Sequence, residues 1–326
     1  MITMIYSILH MFVDGICAFA MFSRFYEHML IYNFCAFALQ MPLGAMLDFL
    51  NVKRTQNDAI TCALVGVGLT ILGTWIHPAI LGLGNALFHV GAGVNVIKED
   101  EANALKGQAI GVFVAPGAWG LFLGTQATKG GISILQIVIT CILLVMLKLF
   151  TQQKKDIVFE RHFERSKNIL LICCFVVVIL RSYVGMAVVF PWKTTVLSST
   201  LAVLAVVLGK MAGGILAARF GVKRTIVTSL GIATVCYLLS SNMIMGILAL
   251  FLFNMTMPIT LYLLVKNWKE FPGFLFGILT FGLFLGFLPV YYSIQIPISS
   301  STIGAVGSLI SLVILLVGKG WCEECS

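Results

Sequence analysis

Apolar runs of about 20 residues recur along the whole sequence, and this pattern constrains the fold more than any other feature. A helix rises about 1.5 Å per residue, so each run can cross a hydrocarbon core of about 30 Å. The 326 residues are 60% hydrophobic and 10% charged, with a mean hydropathy of +1.02, and a soluble domain could not cover so much apolar surface. Alternation with a period of two is absent, which argues against a β-barrel. We therefore predict an all-α membrane protein.

Twelve transmembrane helices can be placed in the sequence. Their predicted bounds are 3–23, 29–50, 57–76, 78–98, 107–128, 130–150, 167–190, 194–218, 223–241, 243–265, 271–292 and 300–318. Most of the 21 Lys and Arg residues fall in every second loop, on the same side as the two termini. Arg24, Lys129 and Lys193 fall in the loops on the other side. Basic loops stay on the cytoplasmic side, so we predict a multi-pass protein of the inner (plasma) membrane with both termini in the cytoplasm. The net charge of +8 then reflects these loops and not a nucleic-acid partner.

An internal repeat divides the sequence into two similar halves. The segment Met41–Thr55 recurs as Met211–Thr225, and the copies share Met, Gly, Val, Lys, Arg and Thr at matching positions without a gap. We predict two pseudo-symmetric six-helix bundles, at 1–150 and 167–326, joined by a cytoplasmic linker at 151–166. Repeated bundles that move against each other about a midplane site are common among transporters.

The two six-helix halves, the central linker and the loop motif after the second and eighth spans resemble the major facilitator superfamily. The family's motif reads Gly-x-Leu-Ala-Asp-Arg-x-Gly-Arg-Lys, and the first copy matches it at Gly44, Asp48 and Lys53. The second copy has Ala218 in place of the acidic residue. Its matching residues are Gly214, Leu216, Ala217, Arg219, Gly221 and Lys223. The resemblance implies that Asp48 holds the cytoplasmic side shut in one state, while a turn that only orients the loop is the structural alternative.

Several residues of these loops and of the fifth span are candidates for gating. Asp48 can pair with Lys53 or Arg54, or with the N-terminus of a neighbouring helix. Pro116 should bend the fifth span and free a carbonyl, either as an ordinary kink or as part of a degraded form of the family's antiporter motif. The predicted gating residues are Gly44, Asp48, Lys53, Arg54, Pro116, Gly214, Arg219 and Lys223.

Few ionisable residues lie deep within the predicted spans, and such residues usually mark a functional site in a membrane protein. His10 and Asp14 are four residues apart and share one face of the first span. His89 lies in the fourth span and Arg181 in the seventh. Spans one, four, seven and ten line the central cavity in the superfamily, so the resemblance implies that these four residues lie at the transport site.

We predict a proton-coupling pair and a set of substrate contacts. Asp14 beside His10 would carry the proton, since a carboxylate with an imidazole neighbour in a poorly hydrated site can change its protonation state. Arg181 keeps its charge and would hold an anionic group of the substrate. The other predicted substrate contacts are His89, Asn85, Asn254, Thr256 and Tyr262. A charge network that only locks the halves together is the structural alternative.

The predicted function is secondary active transport of a small organic, anionic solute by alternating access, as proton-coupled export. Short patches around His10 and His89, and the pair Arg181-Ser182, resemble the fosmidomycin-resistance branch of the superfamily, which implies drug export. A divalent-metal transporter that uses His10, Asp14 and His89 remains an alternative, as does a receptor or scaffold that transports nothing.

No Walker, glycine-rich phosphate-binding or His-Glu-x-x-His motif is present, so we predict neither an enzyme nor a resident cofactor or metal. The expected partners are the small-molecule solute, protons and membrane lipid, with no nucleic acid. We expect the chain to act as a monomer.

Overall fold

The computed structural model of the protein describes residues 2–51, 57–127, 168–294 and 297–324. The predicted sixth span at 130–150 and the predicted linker at 151–166 lie outside these residues, as do Lys53, Arg54 and Lys129. Every regular element in the described part of the chain is helical. An all-α architecture is therefore confirmed for the residues that the structure describes.

The described residues form fourteen α-helices. They are α1 (Ile2–Ser23), α2 (Met29–Asn33), α3 (Gln40–Asn51), α4 (Asn57–Ile76), α5 (Pro78–Ala102), α6 (Gln108–Val114), α7 (Pro116–Ala127), α8 (Asn168–Ala187), α9 (Val196–Phe220), α10 (Val222–Leu238), α11 (Met243–Asn254), α12 (Thr256–Asn267), α13 (Pro272–Tyr291) and α14 (Ser300–Glu324). A 3₁₀ turn at Tyr26–His28 precedes α2, and a π-helical segment at Phe34–Ala38 follows it.

Ten helical segments of the described residues are long and apolar enough to cross a membrane. Each coincides with one of the twelve predicted spans. The ninth predicted span corresponds to α10, which has 17 residues. The sixth falls outside the described residues. The segments support a multi-pass membrane protein, while the total of twelve helices and the orientation of the termini remain predictions.

Three of the spans are interrupted, whereas the sequence predicts a bend only at Pro116. The second span passes through π geometry at Phe34–Ala38, a feature that is frequent near functional sites. The fifth breaks at Ala115 and the tenth at Met255. A proline lacks an N–H, and its ring clashes with the carbonyl four residues earlier. Pro116 directly follows one break, and Pro258 lies three residues after the other.

The described residues divide into two compact units. The first contains 2–105, 112–127 and 268–281, and the second contains 106–111, 168–267 and 282–324. The start of α13 thus belongs to the first unit although it lies in the second half of the sequence. The predicted boundaries at 150 and 167 remain predictions, because the chain around them lies mostly outside the described residues.

In the first unit, α1 packs along α7 and α4 packs along α5. Glycines lie at the closest approach of α1 and α7. A Cβ on Gly15 would come within 3.3 Å of the Gly120 carbonyl oxygen, and one on Gly120 would collide with the carbonyl oxygen of Met11. Small residues allow helix backbones to approach closely, which favours helix association in lipid. The contact brings α7 against the face of α1 that carries His10 and Asp14.

In the second unit, α14 packs against α8 and α10, and α11 packs against α9 and α10. The first turn of α9 is closed by a capping box, in which Thr195 and Ser198 bond each other's backbone N–H groups. At its other end, Gly221 adopts a φ of +91°, which glycine reaches without steric cost. The chain can therefore pass from α9 into α10 through one residue.

Candidate functional site

His10, Asp14 and His89 lie together with Asn85 in one buried cluster of the first unit. His10 Nε2 is 3.1 Å from Asp14 Oδ2, and His89 Nε2 is 3.6 Å from Asp14 Oδ1. The two Nε2 atoms are 2.9 Å apart, and Asn85 Nδ2 donates to Asp14 Oδ1 at 3.1 Å. Each of the two helices contributes a pair with a spacing of four residues, which places both members on one helix face. The cluster therefore follows directly from two short sequence patterns on α1 and α5.

The helix break before Pro116 supplies the third side of the cluster. Pro116 cannot donate to Val112 O, and Ser7 Oγ donates to that carbonyl instead, at 3.2 Å. The neighbouring carbonyl of Phe113 accepts from His10 Nδ1 at 2.8 Å. The predicted break and the predicted free carbonyl are thus both present. A gating role for Pro116 remains a prediction.

Backbone carbonyls hold both imidazole rings in the same tautomer. A carbonyl oxygen can only accept, so His10 Nδ1 must be a donor to Phe113 O. His89 Nδ1 lies 2.9 Å from Asn85 O and must be a donor for the same reason. The other nitrogen of a neutral imidazole is then an acceptor. The two Nε2 atoms would meet as two acceptors at 2.9 Å, so the contact requires a positive occupant such as a proton or a cation.

Gly117 presses the backbone of α7 directly against the cluster. A Cβ at this position would collide with His10 Nε2 and lie 2.5 Å from Asp14 Oδ2. Real Cβ atoms do not approach other atoms so closely, so any side chain here would displace the imidazole or the carboxylate. Sequence reasoning missed Gly117 because it is one of 31 glycines, and only its position beside the break distinguishes it.

The polar network continues beyond the predicted residues to Cys17. Asn85 Nδ2 contacts Cys17 Sγ at 3.4 Å. Asn85 Oδ1 is buried and has no hydrogen-bond partner among the described residues. A signal for Cys17 was available, since it lies three residues after Asp14 on the same face of α1.

Arg181 belongs to the second unit, on α8. The residue is 8% exposed, and its Nε has no hydrogen-bond partner within the described residues. The next residue, Ser182, donates through Oγ to Leu283 O at 2.7 Å. A buried guanidinium that is not fully paired is costly and retains the capacity to bind an anion. The structure thus groups four of the predicted site residues in the first unit and places Arg181 in the second.

The other predicted substrate contacts lie on α11 and α12. Asn254 donates through Nδ2 to Leu250 O, and Thr256 donates through Oγ1 to Phe253 O, each at 2.8 Å. The Tyr262 ring packs beside Gly107, and a Cβ on Gly107 would lie 3.0 Å from that ring. The hydrogen bonds of Asn254 and Thr256 therefore stay within their own helical span. Contact of all three residues with a substrate remains a prediction.

Asp48 caps the N-terminus of α13. Its Oδ1 accepts from the Gly273 N–H at 2.9 Å and its Oδ2 from the Phe274 N–H at 2.7 Å. A carboxylate is favourable at a helix N-terminus, and this is the last of the three pairings that the sequence allowed. A Cβ on Gly44 would collide with Gly273 O, so the two backbones are in close contact. Lys53 and Arg54 lie outside the described residues.

The second copy of the loop motif is built differently. A Cβ on Gly214 would lie 2.5 Å from Gly107 O, so this glycine also permits close helix contact. Ala218 offers no carboxylate, and Arg219 is exposed with its guanidinium 5.4 Å from the ring of Phe220. Lys223 is also exposed. The capping arrangement of the first copy is therefore absent from the described residues of the second, and gating by Gly214, Arg219 and Lys223 remains a prediction.

Comparison with solved structures identifies the fold. The Escherichia coli fucose:proton symporter FucP matches with a TM-score of 0.65 and 12% identity over 98% of each chain. A structure of FucP in the outward conformation, described as a major facilitator superfamily transporter, matches with a TM-score of 0.62 and 14% identity, also over 98% of each chain. The human organic anion transporter MFSD10 matches with a TM-score of 0.67 and 11% identity over 97% of this chain and 98% of its own.

At the level of sequence, no family model matches this chain. No curated protein matches it either. Because the structural identities are below 15%, the likeness concerns the fold. It extends over nearly the whole length of both chains in every comparison. The chain therefore has the fold of the major facilitator superfamily transporters.

Proposed function

We propose that this protein is a secondary active transporter of the major facilitator superfamily that exports a small organic anion by alternating access, coupled to protons. The observation that carries the proposal is the contact between His10 and His89. Both Nδ1 atoms donate to carbonyls, so the 2.9 Å approach of the two Nε2 atoms requires a positive occupant, which we assign as one shared proton. The carboxylate of Asp14 neutralises that proton inside an apolar bundle.

Binding of this proton is tied to the packing of two helices. With the proton, an N–H···N bond joins α1 to α5, and the Asp14 carboxylate compensates its charge. Without it, two lone pairs and a carboxylate face one another away from water, which is strongly unfavourable. Loss of the proton therefore favours separation of His10 from His89. A local rearrangement that depends on the proton is the element that coupled transport needs.

Arg181 supports an anionic substrate. It is a buried, permanently charged side chain whose Nε lacks a hydrogen-bond partner among the described residues. A planar guanidinium binds carboxylate or phosphate through two parallel hydrogen bonds. One structural neighbour is an organic anion transporter, which fits an anionic substrate, and another is a fucose:proton symporter, which fits coupling to protons. We propose export as the direction on the weaker resemblance to the fosmidomycin-resistance branch. Asn254, Thr256 and Tyr262 are the further proposed substrate contacts.

Asp48 is proposed to stabilise the state in which the cytoplasmic side is closed. Its carboxylate accepts from two N–H groups at the start of α13, and Gly44 and Gly273 let the backbones touch. When the two helices separate, both hydrogen bonds and the favourable interaction with the helix dipole are lost together. The contact can therefore act as a latch of modest strength, which is suited to a state that must open in every cycle.

The test measures substrate-driven proton movement in proteoliposomes for the wild type, Asp14→Asn and Glu27→Gln. Glu27 is an exposed carboxylate outside the cluster and provides a matched control for the loss of one negative charge. The solutes screened are organic anions, common antibiotics and, as neutral comparators, sugars such as fucose. The wild type and Glu27→Gln are expected to move protons with an anion, whereas Asp14→Asn loses coupling by at least about 100-fold because the shared proton is no longer neutralised.

Each outcome decides between the functions. Coupling that persists in Asp14→Asn would retain the transporter and reject Asp14 as part of the proton site. Opposite directions of proton and solute would identify antiport, whereas a common direction would overturn the proposed export by exchange. Uptake of Zn²⁺ without an organic solute would favour the metal-transporter alternative. Absence of all solute and proton movement in the wild type would favour a receptor or scaffold.

A further inference from the structure

We infer that His10, His89 and Asp14 also form a binding site for a divalent first-row transition cation of the Zn²⁺ class. The inference goes beyond the proposed function, because it concerns binding alone and needs no organic solute. Two imidazoles and one carboxylate are a ligand set that Co²⁺, Ni²⁺ and Zn²⁺ bind well. One ligand atom from each of the three residues lies within 4.8 Å of the others.

The separations between the ligand atoms suit such an ion. Zinc binds imidazole nitrogen at about 2.0–2.1 Å and carboxylate oxygen at about 2.0–2.2 Å, so at tetrahedral angles two ligand atoms lie about 3.3 Å apart. The two Nε2 atoms are 2.9 Å apart, His10 Nε2 is 3.1 Å from Asp14 Oδ2, and His89 Nε2 is 3.6 Å from Asp14 Oδ1. The two contacts of Asp14 thus use different oxygen atoms. Binding of an ion through one of them requires the carboxylate to turn toward both nitrogens.

The groups behind the ligands are already in place. A metal-binding histidine usually donates its second ring nitrogen to a carbonyl or carboxylate, which fixes the tautomer and directs the other nitrogen at the ion. His10 does this through Phe113 O, and His89 does it through Asn85 O. Asp14 is held by Asn85 Nδ2. All three proposed ligands are thus oriented by hydrogen bonds that leave both Nε2 atoms directed at the same point.

The charges of the surrounding helices also favour a cation. Neither α1 nor α7 contains Lys or Arg. The single basic residue of α5 is Lys98, which lies more than two turns beyond His89. A dication would replace the positive occupant that the Nε2 contact requires.

The test is a titration of the purified, tag-free full chain in detergent with Co²⁺, followed by visible absorption. Imidazole and carboxylate ligands in a four- or five-coordinate site give bands that hydrated Co²⁺ lacks. The background carries Cys322→Ser and Cys325→Ser, because a pair of thiols near the C-terminus could bind the ion independently. We expect one Co²⁺ per chain, and competition by Zn²⁺ that bleaches the bands.

Matched histidine variants locate the ion. His10→Ala and His89→Gln are expected to weaken binding by at least about 100-fold, whereas His28→Ala and His77→Ala leave it unchanged. The last two residues carry a second pair of neighbouring rings, 6.5 Å apart, outside the cluster. Asn85→Leu removes the amide that holds Asp14 and leaves the three proposed ligands in place. It should weaken binding by about 10- to 100-fold.

A stability measurement guards against variants that fail to fold. Zn²⁺ should raise the thermal unfolding midpoint of the background protein, but not that of His10→Ala, and both should elute alike in size-exclusion chromatography. If His10→Ala does not fold, His89→Gln serves the same comparison with a side chain of similar polarity. Equal binding of Co²⁺ by the background protein, His10→Ala and His89→Gln would overturn the inference. Absence of binding at millimolar Co²⁺ would also overturn it. Since no solute is present, failure of the transport proposal would leave this result intact, and the reverse also holds.

Discussion

The buried polar groups around His10 and around Arg181 differ in how they are paired. In the first unit, His10, His89 and Asp14 are linked to one another, to Asn85 and to backbone carbonyls. In the second unit, the buried Arg181 keeps an Nε without a hydrogen-bond partner among the described residues. The first is a network that requires one added positive charge, and the second is a fixed positive charge that can still bind an anion.

Under the proposed function, the first region holds a proton and the second holds an anion. A hydrogen-bonded network in an apolar bundle is destabilised when its proton or cation is removed. An incompletely paired buried charge lowers stability continuously and is relieved when an anion binds. A stability measurement can therefore separate the two regions before any substrate is known.

The largest expected effect is a difference in sign between Asp14→Ala and Arg181→Met. Asp14→Ala leaves the shared positive charge of the two imidazoles uncompensated in a buried site, and should cost about 3–5 kcal/mol of unfolding free energy. Arg181→Met removes a desolvated charge and keeps the apolar stem, so it should be neutral or stabilising by about 1–4 kcal/mol. Unfolding of both variants and the wild type in the same detergent measures this. A clear loss of stability in Arg181→Met would show that the guanidinium is already paired, and the comparison would fail.

A pair of glycine variants tests the same contrast on a smaller scale. Gly117→Ala forces a methyl group against His10 and Asp14, and should cost about 1–3 kcal/mol through overpacking. Gly185→Ala lies one turn beyond Arg181, where a Cβ meets nothing within 4 Å, and should be neutral or stabilising by about 0.5–1 kcal/mol. Thermal unfolding midpoints of the two variants give the comparison. Equal midpoints would mean that α7 is not pressed against the cluster.

The smallest effect concerns the two copies of the loop motif. Asp48→Ala makes the first copy resemble the second and removes the acceptors for Gly273 and Phe274, at a cost of about 0.5–2 kcal/mol. Hydrogen exchange of the peptide at the start of α13 should become faster in this variant. Arg219→Ala, an exposed change in the second copy, should alter stability by less than about 0.5 kcal/mol and leave that exchange unchanged. Unchanged exchange in Asp48→Ala would remove Asp48 from the latch.

The sequence predicted those structural features that depend on a single helix. The predicted bounds 3–23 and 57–76 agree with α1 and α4 within a residue, because length and hydropathy determine where a helix meets the membrane boundary. The break at Pro116 was also predictable from local chemistry. The π segment at Phe34–Ala38 was not, since it depends on contacts between helices and has no signal of its own.

The site was predictable as a set of residues and not as a geometry. The i, i+4 spacing of His10 and Asp14, together with the family resemblance, correctly indicated that they share a face and lie near His89. It could not indicate that His89 Nε2 lies 2.9 Å from His10 Nε2 in the same network, and contact of His89 with a substrate remains a prediction. That orientation depends on a bond from His89 Nδ1 to Asn85 O within α5 and on the packing of α5 against α1.

The class of protein could be deduced from the sequence, because apolar runs indicate a helical membrane fold and rare buried charges indicate a candidate site. The packing of the helices was needed to show which carbonyl each imidazole bonds, which helix N-terminus Asp48 caps, and which glycine makes room for the cluster. The two kinds of information differ in range. Hydropathy and helix periodicity act within about 20 residues of chain, whereas hydrogen bonds depend on fractions of an ångström between segments that the sequence separates widely.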